Sequence, residues 1–409
     1  MQIMMMKNSM DYYIIKNAGD LEELTSGVNV GINARVHKIK RSGKIVFVYL
    51  SCGGDIIKTV CKSDISSLSE GMYIRTCGTT VPEIKAENGI EIRLDDFEVL
   101  SKPAYKFPVS ISDSEYGLSL EATMNNKSLT LRNPQIASIY KLQAKIINSF
   151  CEFMNNHDFM RLTPPVISAF SEKPSFEVDY FGERAYLSHS PQLYMTACMA
   201  AFDRVYAVSP AFLAKKYNST RHLNEFTSLN FQQGYIDSVE DIIKTTAECM
   251  EYIAKSINLT KSVRIKPYTF NQALEILGKA KQVDLDPTDI KRLCKYEDNE
   301  NTFVFVTSFP PDKRPFYAED CNNFDLYFNG WKIASGSKNI CDYNIQLEKA
   351  SRFNIRLSDF AAYEDALKYG IMPYGSCVIG LERLTAALSG LDSVKYASLF
   401  PRDLHHLIP

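Results

Sequence analysis

The fold is indicated above all by residues 190–212, which run SPQLYMTACMAAFDRVYAVSPAF, and by residues 218–231, which run NSTRHLNEFTSLNF. Further along the chain come FDLYFNGWKIASGSKN at residues 324–339, IMPYGSCVIGLERL at residues 371–384 and SLFPRD at residues 398–403. The chain has 409 residues. Because one hydrophobic core rarely supports a chain of this length, we expect two domains, with the quoted stretches in the larger one.

The composition excludes a wholly disordered chain and a strongly basic one. Apolar residues make up 45% of the chain and charged residues 23%, as in ordinary globular proteins. The 46 basic residues nearly balance the 48 acidic ones, for a formal net charge of -2. This balance creates no overall field that recruits nucleic acid, so RNA binding would have to come from a local patch.

The ten cysteines are scattered, and none forms a C-x-x-C pair with further cysteine or histidine partners downstream. We therefore expect reduced thiols and no zinc site. The first eleven residues lack the regions of a signal peptide, and no apolar run approaches the length of a membrane span. These features predict a cytoplasmic protein without membrane association.

Residues 29–100 predict a small all-β barrel. Short runs of β-branched and aromatic residues alternate with turn signals such as C-G-G-D at residues 52–55, for about five strands. Five strands are typical of an OB-fold barrel, which binds oligonucleotides or oligosaccharides, although a packing or dimer-contact module is an equal alternative. The proline-containing segment KPAYKFPVS follows at residues 102–110. We therefore predict an OB-fold domain at residues 1–105, a linker at 106–130 and a second domain at 131–409.

The second domain resembles a known family. Apolar residues at helical spacing predict an amphipathic helix over residues 133–157, and FMRLTPPVIS follows at residues 159–168. With the stretches quoted first, this order resembles the three signatures of class II aminoacyl-tRNA synthetases, and residues 190–231 resemble the aspartyl and asparaginyl branch. The resemblance implies an α+β fold, with an antiparallel sheet of six or seven strands flanked by helices and preceded by an OB-fold anticodon-binding barrel. It also implies a homodimer, with ATP, an amino acid or peptide, and tRNA or other RNA as ligands.

Several positions that the resemblance marks as catalytic carry other residues. The family pattern F-R-x-E uses its arginine to bridge the substrate carboxylate and the ATP α-phosphate, and here Leu213 takes the arginine position and Lys215 that of the glutamate. The family pattern G-x-E-I-x-S-G-x-Q-R uses its glutamate for magnesium and its arginine for the substrate; Lys332 and Asn339 stand there instead. Because lysine cannot ligate a hard cation, we expect no standard magnesium site. Met195 replaces the lysine that binds the aspartate side chain.

Other positions match the family. Arg383, beside Glu382 in G-L-E-R, matches the third-signature arginine that lies against ATP, and Phe226 matches the aromatic residue that stacks on adenine. Arg221 and His222, just before it, are further candidates for nucleotide binding and catalysis. An ATP site is therefore implied. The plain alternatives are a surface ion pair for Arg383, a loop pair for Arg221 and His222, and a core position for Phe226.

The resemblance also implies a subsite for an amine-bearing substrate. The positions that correspond to it are Ser171, Glu172, Ser190, Gln192, Met195, Asp325 and Asn339. Inherited structural hydrogen bonds are the alternative interpretation for Glu172 and Gln192. For Lys332 we favour an altered residue on a solvated strand over a stand-in for the metal charge, because a fixed monocation is a poor substitute for a divalent ion.

In the barrel, Phe47 corresponds to the aromatic residue on which an anticodon base stacks, and Lys58 takes the position of the base-reading glutamine. Stacking and a phosphate contact would remain without base reading. Phe47 has an equal interpretation as a core aromatic.

Three hypotheses follow. The first is a diverged paralogue with impaired or altered amino-acid activation, and its main alternative is a working synthetase in which Lys215 or Lys216 does the arginine's work. The second is an ATP-dependent amide-forming ligase, similar to asparagine synthetase relatives of this fold, acting on a non-standard substrate. The third is a pseudoenzyme that binds RNA or a protein through the barrel and the dimer surface.

Overall fold

The computed structural model describes residues 12–43, 45–61, 65–84, 86, 89–111, 117–171, 173–217, 219–259, 264–280, 282–297, 302–311 and 314–408. Contacts divide the chain into two units, Met1–Ser138 and Ile139–Pro409. This division falls on the C-terminal side of the linker predicted at residues 106–130, and the linker boundaries stay predictions.

The first unit contains the predicted β barrel. Its strands are β1 (Tyr13–Ile15), β2 (Asn29–Ser42), β3 (Ile45–Cys52), β4 (Asp55–Cys61), β5 (Tyr73–Pro82) and β6 (Ile90–Ser101). The 14-residue strand β2 pairs antiparallel with both β3 and β5, and β4 pairs with β6, so five strands close on themselves. The five-stranded OB-like barrel is confirmed, and β1 adds to β2 in parallel.

Alternation of side chains builds the barrel core. Val30, Ile32 and Val36 of β2 all lie in the buried cluster, as expected when every second residue faces inward. The predicted turn at C-G-G-D joins β3 to β4, and it needs glycine: Gly53 has φ +58°, and a Cβ there would lie 2.3 Å from the Lys16 carbonyl oxygen.

Three helices follow the barrel: α1 (Leu120–Asn125), α2 (Lys127–Thr130) and α3 (Pro134–Asn156). The last confirms the amphipathic helix predicted over residues 133–157. Its apolar stripe, including Ile146, Phe150 and Phe153, packs into the main core of the second unit.

The second unit is organised around a mixed sheet. Its strands are β7 (Met160–Arg161), β11 (Arg204–Phe212), β12 (Glu225–Gly234), β13 (Arg264–Thr269), β14 (Thr302–Thr307), β15 (Ala318–Phe328), β16 (Trp331–Asn339) and β17 (Tyr374–Gly380). In the order β13-β14-β15-β16-β17-β12-β11-β7, the six inner strands are antiparallel and each outermost strand pairs in parallel. The predicted α+β class is confirmed, and the parallel edge strands explain why the sheet exceeds the six or seven strands expected.

A smaller sheet, seven further α-helices and a 3-10 helix at Leu357–Phe360 belong to the described part of this unit. The small sheet comprises β8 (Ile167–Ser168), β9 (Glu177–Tyr180) and β10 (Glu183–Leu187). The helices are α4 (Gln192–Met199), α5 (Val239–Ser256), α6 (Phe270–Leu277), α7 (Pro287–Tyr296), α8 (Tyr343–Arg352), α9 (Ala361–Lys368) and α10 (Leu381–Leu388). No described helix has the length and apolar character needed to cross a membrane.

The strand register brings distant stretches of sequence together. β17 lies between β12 and β16, with Ser228 opposite Gly380 on one side and Ala334 opposite Ile379 on the other. Helix α10 begins directly after Gly380. The first turn of α10 therefore lies beside the start of β12 and the start of β16.

Candidate functional site

A cavity of about 370 Å³ lies at the junction of β12, β16, β17 and α10. Its wall includes nine of the residues singled out in the sequence: Ser190, Gln192, Leu213, Arg221, His222, Phe226, Lys332, Glu382 and Arg383. These residues come from stretches up to 193 positions apart, counting from Ser190 to Arg383. The fold thus gathers the predicted nucleotide positions at one concave site.

Three arginines line this cavity, and two of them, Arg221 and Arg383, lie close together. Arg383 Nη2 donates to the Arg221 carbonyl oxygen at 3.2 Å, and Arg221 Nη1 donates to the Gly330 carbonyl oxygen at 2.9 Å. The Arg221 guanidinium also lies 4.5 Å from the ring centroid of Trp331. Burial, and then the charge of Arg221, lowers the pKa of Arg383. Among the described residues, neither arginine forms an ion pair with a carboxylate.

Lys332 is bound to a buried carboxylate. Lys332 Nζ lies 2.7 Å from Asp325 Oδ2, and Arg314 Nη1 lies 2.7 Å from Asp325 Oδ1. The side chain of Asp325 is fully buried, and that of Lys332 is 33% exposed. Burial would raise the pKa of Asp325, but the charges of Lys332 and Arg314 outweigh it and hold that pKa well below its usual range. Lys332 is therefore half-buried and ion-paired, which contradicts the solvated-strand interpretation.

Glu382 is the other carboxylate at the cavity. Thr227 N donates to Glu382 Oε1 at 3.0 Å and to Oε2 at 3.1 Å, across from β12 to α10. Burial raises the pKa of Glu382 to about 7, against the lowering effect of these hydrogen bonds and of Arg383. Near neutral pH this group is thus only partly charged.

Two histidines at the cavity are held neutral. Burial, followed by the charges of Arg383, Lys215 and Arg221, lowers the pKa of His222 to about 4. Burial, followed by the charge of Lys173, lowers the pKa of His189 to about 3. Their neutrality leaves the positive charge of the cavity to lysine and arginine.

Amide and hydroxyl groups form another part of the cavity wall. Gln192 Oε1 accepts a hydrogen bond from Gln232 Nε2 at 2.6 Å, and Asn339 Nδ2 donates to Ser376 Oγ at 3.0 Å. Gln192, Ser337 and Ser376 line the wall there, together with Ser190. Met195 and Asn339, the two positions where the resemblance implies a cation for the substrate side chain, supply none, while Lys173 and Arg314 belong to the described wall.

Not every predicted substrate position reaches the cavity. Met195 is fully buried in an apolar cluster with Met199 and Tyr374, and Asn339 and Asp325 lie behind the lining residues that they bind. Ser171 donates to the Lys173 carbonyl oxygen at 2.9 Å and lines a smaller neighbouring cavity. Glu172 lies outside the described residues.

Leu213 forms part of the cavity wall through fixed backbone contacts. Leu213 N donates to the Asn224 carbonyl oxygen at 2.9 Å, and Asn224 Nδ2 donates to the carbonyl oxygens of Leu213 and Lys215. The Lys215 ammonium lies 5.6 Å from the ring centroid of Tyr217, which stacks on His222. An aliphatic side chain therefore faces the cavity at this position, with Lys215 two residues further along.

The sequence reasoning missed Lys173, His189 and Arg314 at the cavity wall. His189 directly precedes the S-P-Q motif, and Lys173 follows Glu172, so adjacency to predicted positions was an available signal. Arg314 lies 11 positions before its partner Asp325. Nothing in its local pattern indicated that contact.

In the barrel, Lys58 and Phe47 lie on adjacent strands. The Lys58 ammonium lies 4.5 Å from the ring centroid of Phe47, and its nitrogen lies 3.5 Å from Glu91 Oε2. Phe47 is half-buried and so is not a core aromatic. Whether the pair contacts RNA stays a prediction.

The residues at the cavity do not fit a magnesium ion. Within the described ranges, no cluster of three histidine, cysteine or acidic side chains could hold a metal. Magnesium needs oxygen ligands in near-octahedral geometry, whereas Asp325 is taken up by Lys332 and Arg314, and Glu382 by the Thr227 amide. The ammonium of Lys332 stands at the position implied for the metal-ligating glutamate.

Comparisons with known proteins agree on the class. Residues 119–404 match the family model of class II tRNA synthetases (D, K and N). The aspartate–tRNA(Asp/Asn) ligase of Thermus thermophilus is 32% identical over 94% of this chain and 97% of its own, and that of Deinococcus radiodurans is 30% identical over 94% and 96%. Fold and sequence together thus place the chain in the family of class II tRNA synthetases.

Solved structures share the fold. The asparaginyl-tRNA synthetase of Pyrococcus horikoshii superposes with a TM-score of 0.85 at 24% identity, covering 94% of this chain and 97% of its own. The aspartyl-tRNA synthetase of Entamoeba histolytica gives 0.83 at 22% identity, covering 98% and 94%. Within the class, the chain belongs to the aspartyl/asparaginyl-tRNA synthetase family.

Proposed function

We propose that the chain binds an adenine nucleotide in the cavity and does not activate aspartate or asparagine in the way its relatives' names describe. The observation that carries this proposal is the charge arrangement of the wall, where Leu213 is aliphatic and Lys332 is paired with Asp325. Arg221, Arg383 and the aromatic ring of Phe226 support nucleotide binding.

The loss of activation follows from electrostatics. In the adenylation reaction a carboxylate attacks a phosphate, so two anions approach each other and the transition state depends on preorganised positive charge. Leu213 donates nothing to that charge. Removal of one such donor typically costs about two to three decades in rate, and the magnesium position is altered as well.

The amide and hydroxyl part of the wall supports a change in ligand. An aspartate side chain held beside Ser337, Ser376 and Gln192 would lack the two cations that the resemblance implies, because Met195 and Asn339 take their positions. We propose that the group bound beside these residues is uncharged and forms hydrogen bonds, such as an amide or a hydroxyl.

The test combines two measurements on the purified protein, with the Thermus thermophilus relative assayed in parallel. We expect no ATP–pyrophosphate exchange above background with aspartate or asparagine, and we expect ATP binding by calorimetry. Exchange at the relative's rate would contradict the loss of activation. Failure to bind ATP or AMP under any condition would contradict nucleotide binding.

A working synthetase is the second candidate. It is favoured by the position of Lys215, whose charge helps to lower the pKa of the cavity residue His222 and whose ammonium lies 5.6 Å from the ring centroid of Tyr217, which stacks on His222. If this candidate holds, exchange will be measurable in the native protein, and Lys215→Met will abolish it while Lys216→Met will not. Exchange that survives both substitutions would exclude the role of these lysines.

We further propose that the barrel contacts RNA through Phe47 and Lys58 and that the protein forms a homodimer. The ring of Phe47 and the adjacent Lys58 ammonium support an RNA contact that does not depend on base sequence. The exposed apolar residues Met160 and Ile167, in the segment that resembles the first signature, support the homodimer. tRNA binding should weaken steeply with salt and with Phe47→Ala. Light scattering measures the mass of the protein in solution, and the mass of a monomer would contradict the proposed homodimer.

A further inference from the structure

The carboxylate of Asp325 is saturated by the protein itself. Oδ1 accepts from Arg314 Nη1 at 2.7 Å and from Ser335 Oγ at 2.9 Å, while Oδ2 accepts from Lys332 Nζ at 2.7 Å and from Tyr327 OH at 3.1 Å. A carboxylate has about four lone-pair sites, and four donors occupy them. Asp325 therefore has no site left for a metal ion or for the ammonium of a ligand.

The charged side chains around Asp325 and the nearby arginines favour the binding of an anion in the cavity. Arg314, Lys332 and Asp325 sum to one net positive charge, and Arg221 and Arg383 add one each without a described carboxylate in ion-pair contact. Glu382 is largely buried and engaged by the Thr227 amide. Cations held near each other in a partly desolvated cleft are costly unless a counter-charge arrives.

We propose that the cavity binds its nucleotide as the free phosphate anion, without a divalent cation, and that Lys332 with Arg221 and Arg383 supplies the counter-charge. This inference rests on the proposed nucleotide site and specifies the ionic form of the ligand. The complex of a nucleotide with magnesium has a net charge that is less negative by two than that of the free nucleotide. Its hydrated metal ion also needs oxygen ligands, which this wall does not supply. The free anion should therefore bind more tightly than the metal complex.

The experiment is calorimetry with ATP in the presence of EDTA and again in excess magnesium, using the full chain. We expect the dissociation constant for ATP to rise about tenfold or more when magnesium is present, a change of roughly 1.4 kcal/mol. AMP, which complexes magnesium only weakly, serves as the ligand control, and its affinity should change little.

Two substitutions at one position separate charge from packing. Lys332→Glu provides a carboxylate at the wall and should reverse the effect, so that magnesium strengthens ATP binding. Lys332→Met removes only the ammonium and should weaken binding of free ATP without creating a preference for magnesium. Lys338→Glu is the matched control on the same strand, because Lys338 pairs with Glu319 and does not line the cavity.

The outcomes separate this inference from the proposed function. Native protein that binds ATP more tightly with magnesium, or equally well in both conditions, would overturn the inference while nucleotide binding stands. If a folded Lys332→Glu variant still binds ATP more weakly in magnesium than in EDTA, the proposed role of Lys332 is wrong. Absence of binding for both ATP and AMP in both conditions would overturn the proposed function and this inference with it.

Discussion

Single side chains set the charge of the cavity. Leu213 stands where the family resemblance implies an arginine, and Lys332 where it implies a glutamate, yet Arg221 and Arg383 converge on the same space. The two altered residues thus change what the site can stabilise without removing its preference for anions. Arg383 and Asp325 are the residues where this interpretation is most directly tested.

Arg383→Met should weaken ATP binding by about 10- to 100-fold, because a hydrogen bond to a charged group contributes roughly 1.5 to 3 kcal/mol. Calorimetry measures the change. Arg184→Met is the matched control, since Arg184 is 69% exposed in a surface pair with Glu177. Equal affinities for the native protein and Arg383→Met would remove Arg383 from the site.

Asp325→Asn should destabilise the second unit by about 3 to 5 kcal/mol, because it leaves the buried Arg314 guanidinium without its counter-charge. Urea unfolding followed by circular dichroism measures this. The control is Glu348→Gln on α8, which removes an exposed pair with Arg352 and should shift the unfolding midpoint little. Similar midpoints for both variants would show that the buried pair is not a major source of stability.

At the scale of elements, the contact between β12 and the first turn of α10 links the cavity to pH. The Thr227 amide donates to both oxygens of Glu382, whose pKa is raised from 4.5 to about 7 by burial. A raised pKa means that the folded state binds the proton more tightly than the unfolded state. The stability that this proton contributes is complete below pH 4.5 and is lost as the pH rises through 7.

Glu382→Gln should therefore flatten part of the pH dependence of stability. Between pH 4.5 and pH 7 the native protein should lose about 3 kcal/mol relative to the variant, since each pKa unit corresponds to about 1.4 kcal/mol. Urea midpoints measured across this pH interval test the prediction. The control is Glu225→Gln, which removes an exposed carboxylate of β12 and should leave the pH profile unchanged. Parallel pH profiles for the native protein and Glu382→Gln would contradict it.

At the scale of the whole molecule, the sequence predicted the barrel, helix α3, the α+β class and the convergence of Arg221, His222, Phe226 and Arg383. These depend on local periodicity and on ordered motifs, which a single sequence carries. It did not reveal the partner of Lys332, because the contact with Asp325 crosses between β15 and β16 and depends on their register. The role of Arg314 was missed for the same reason, whereas His189 directly precedes the S-P-Q motif and could have been found from that adjacency.

The same limit explains Met195. Its position in the motif suggested a place beside the substrate, but its side chain points into an apolar cluster, where an unbranched thioether fills space well. A residue's place in a motif predicts the backbone, whereas the direction of a substituted side chain depends on packing.

Trp331 is the single tryptophan of the chain, and it lies directly beneath the Arg221 guanidinium. Excitation at the red edge of the indole band would thus report on the second unit alone, free of background from the barrel. Any anion that draws Arg221 away from the ring should alter the quantum yield, so occupancy of the cavity can be followed optically in the unlabelled protein.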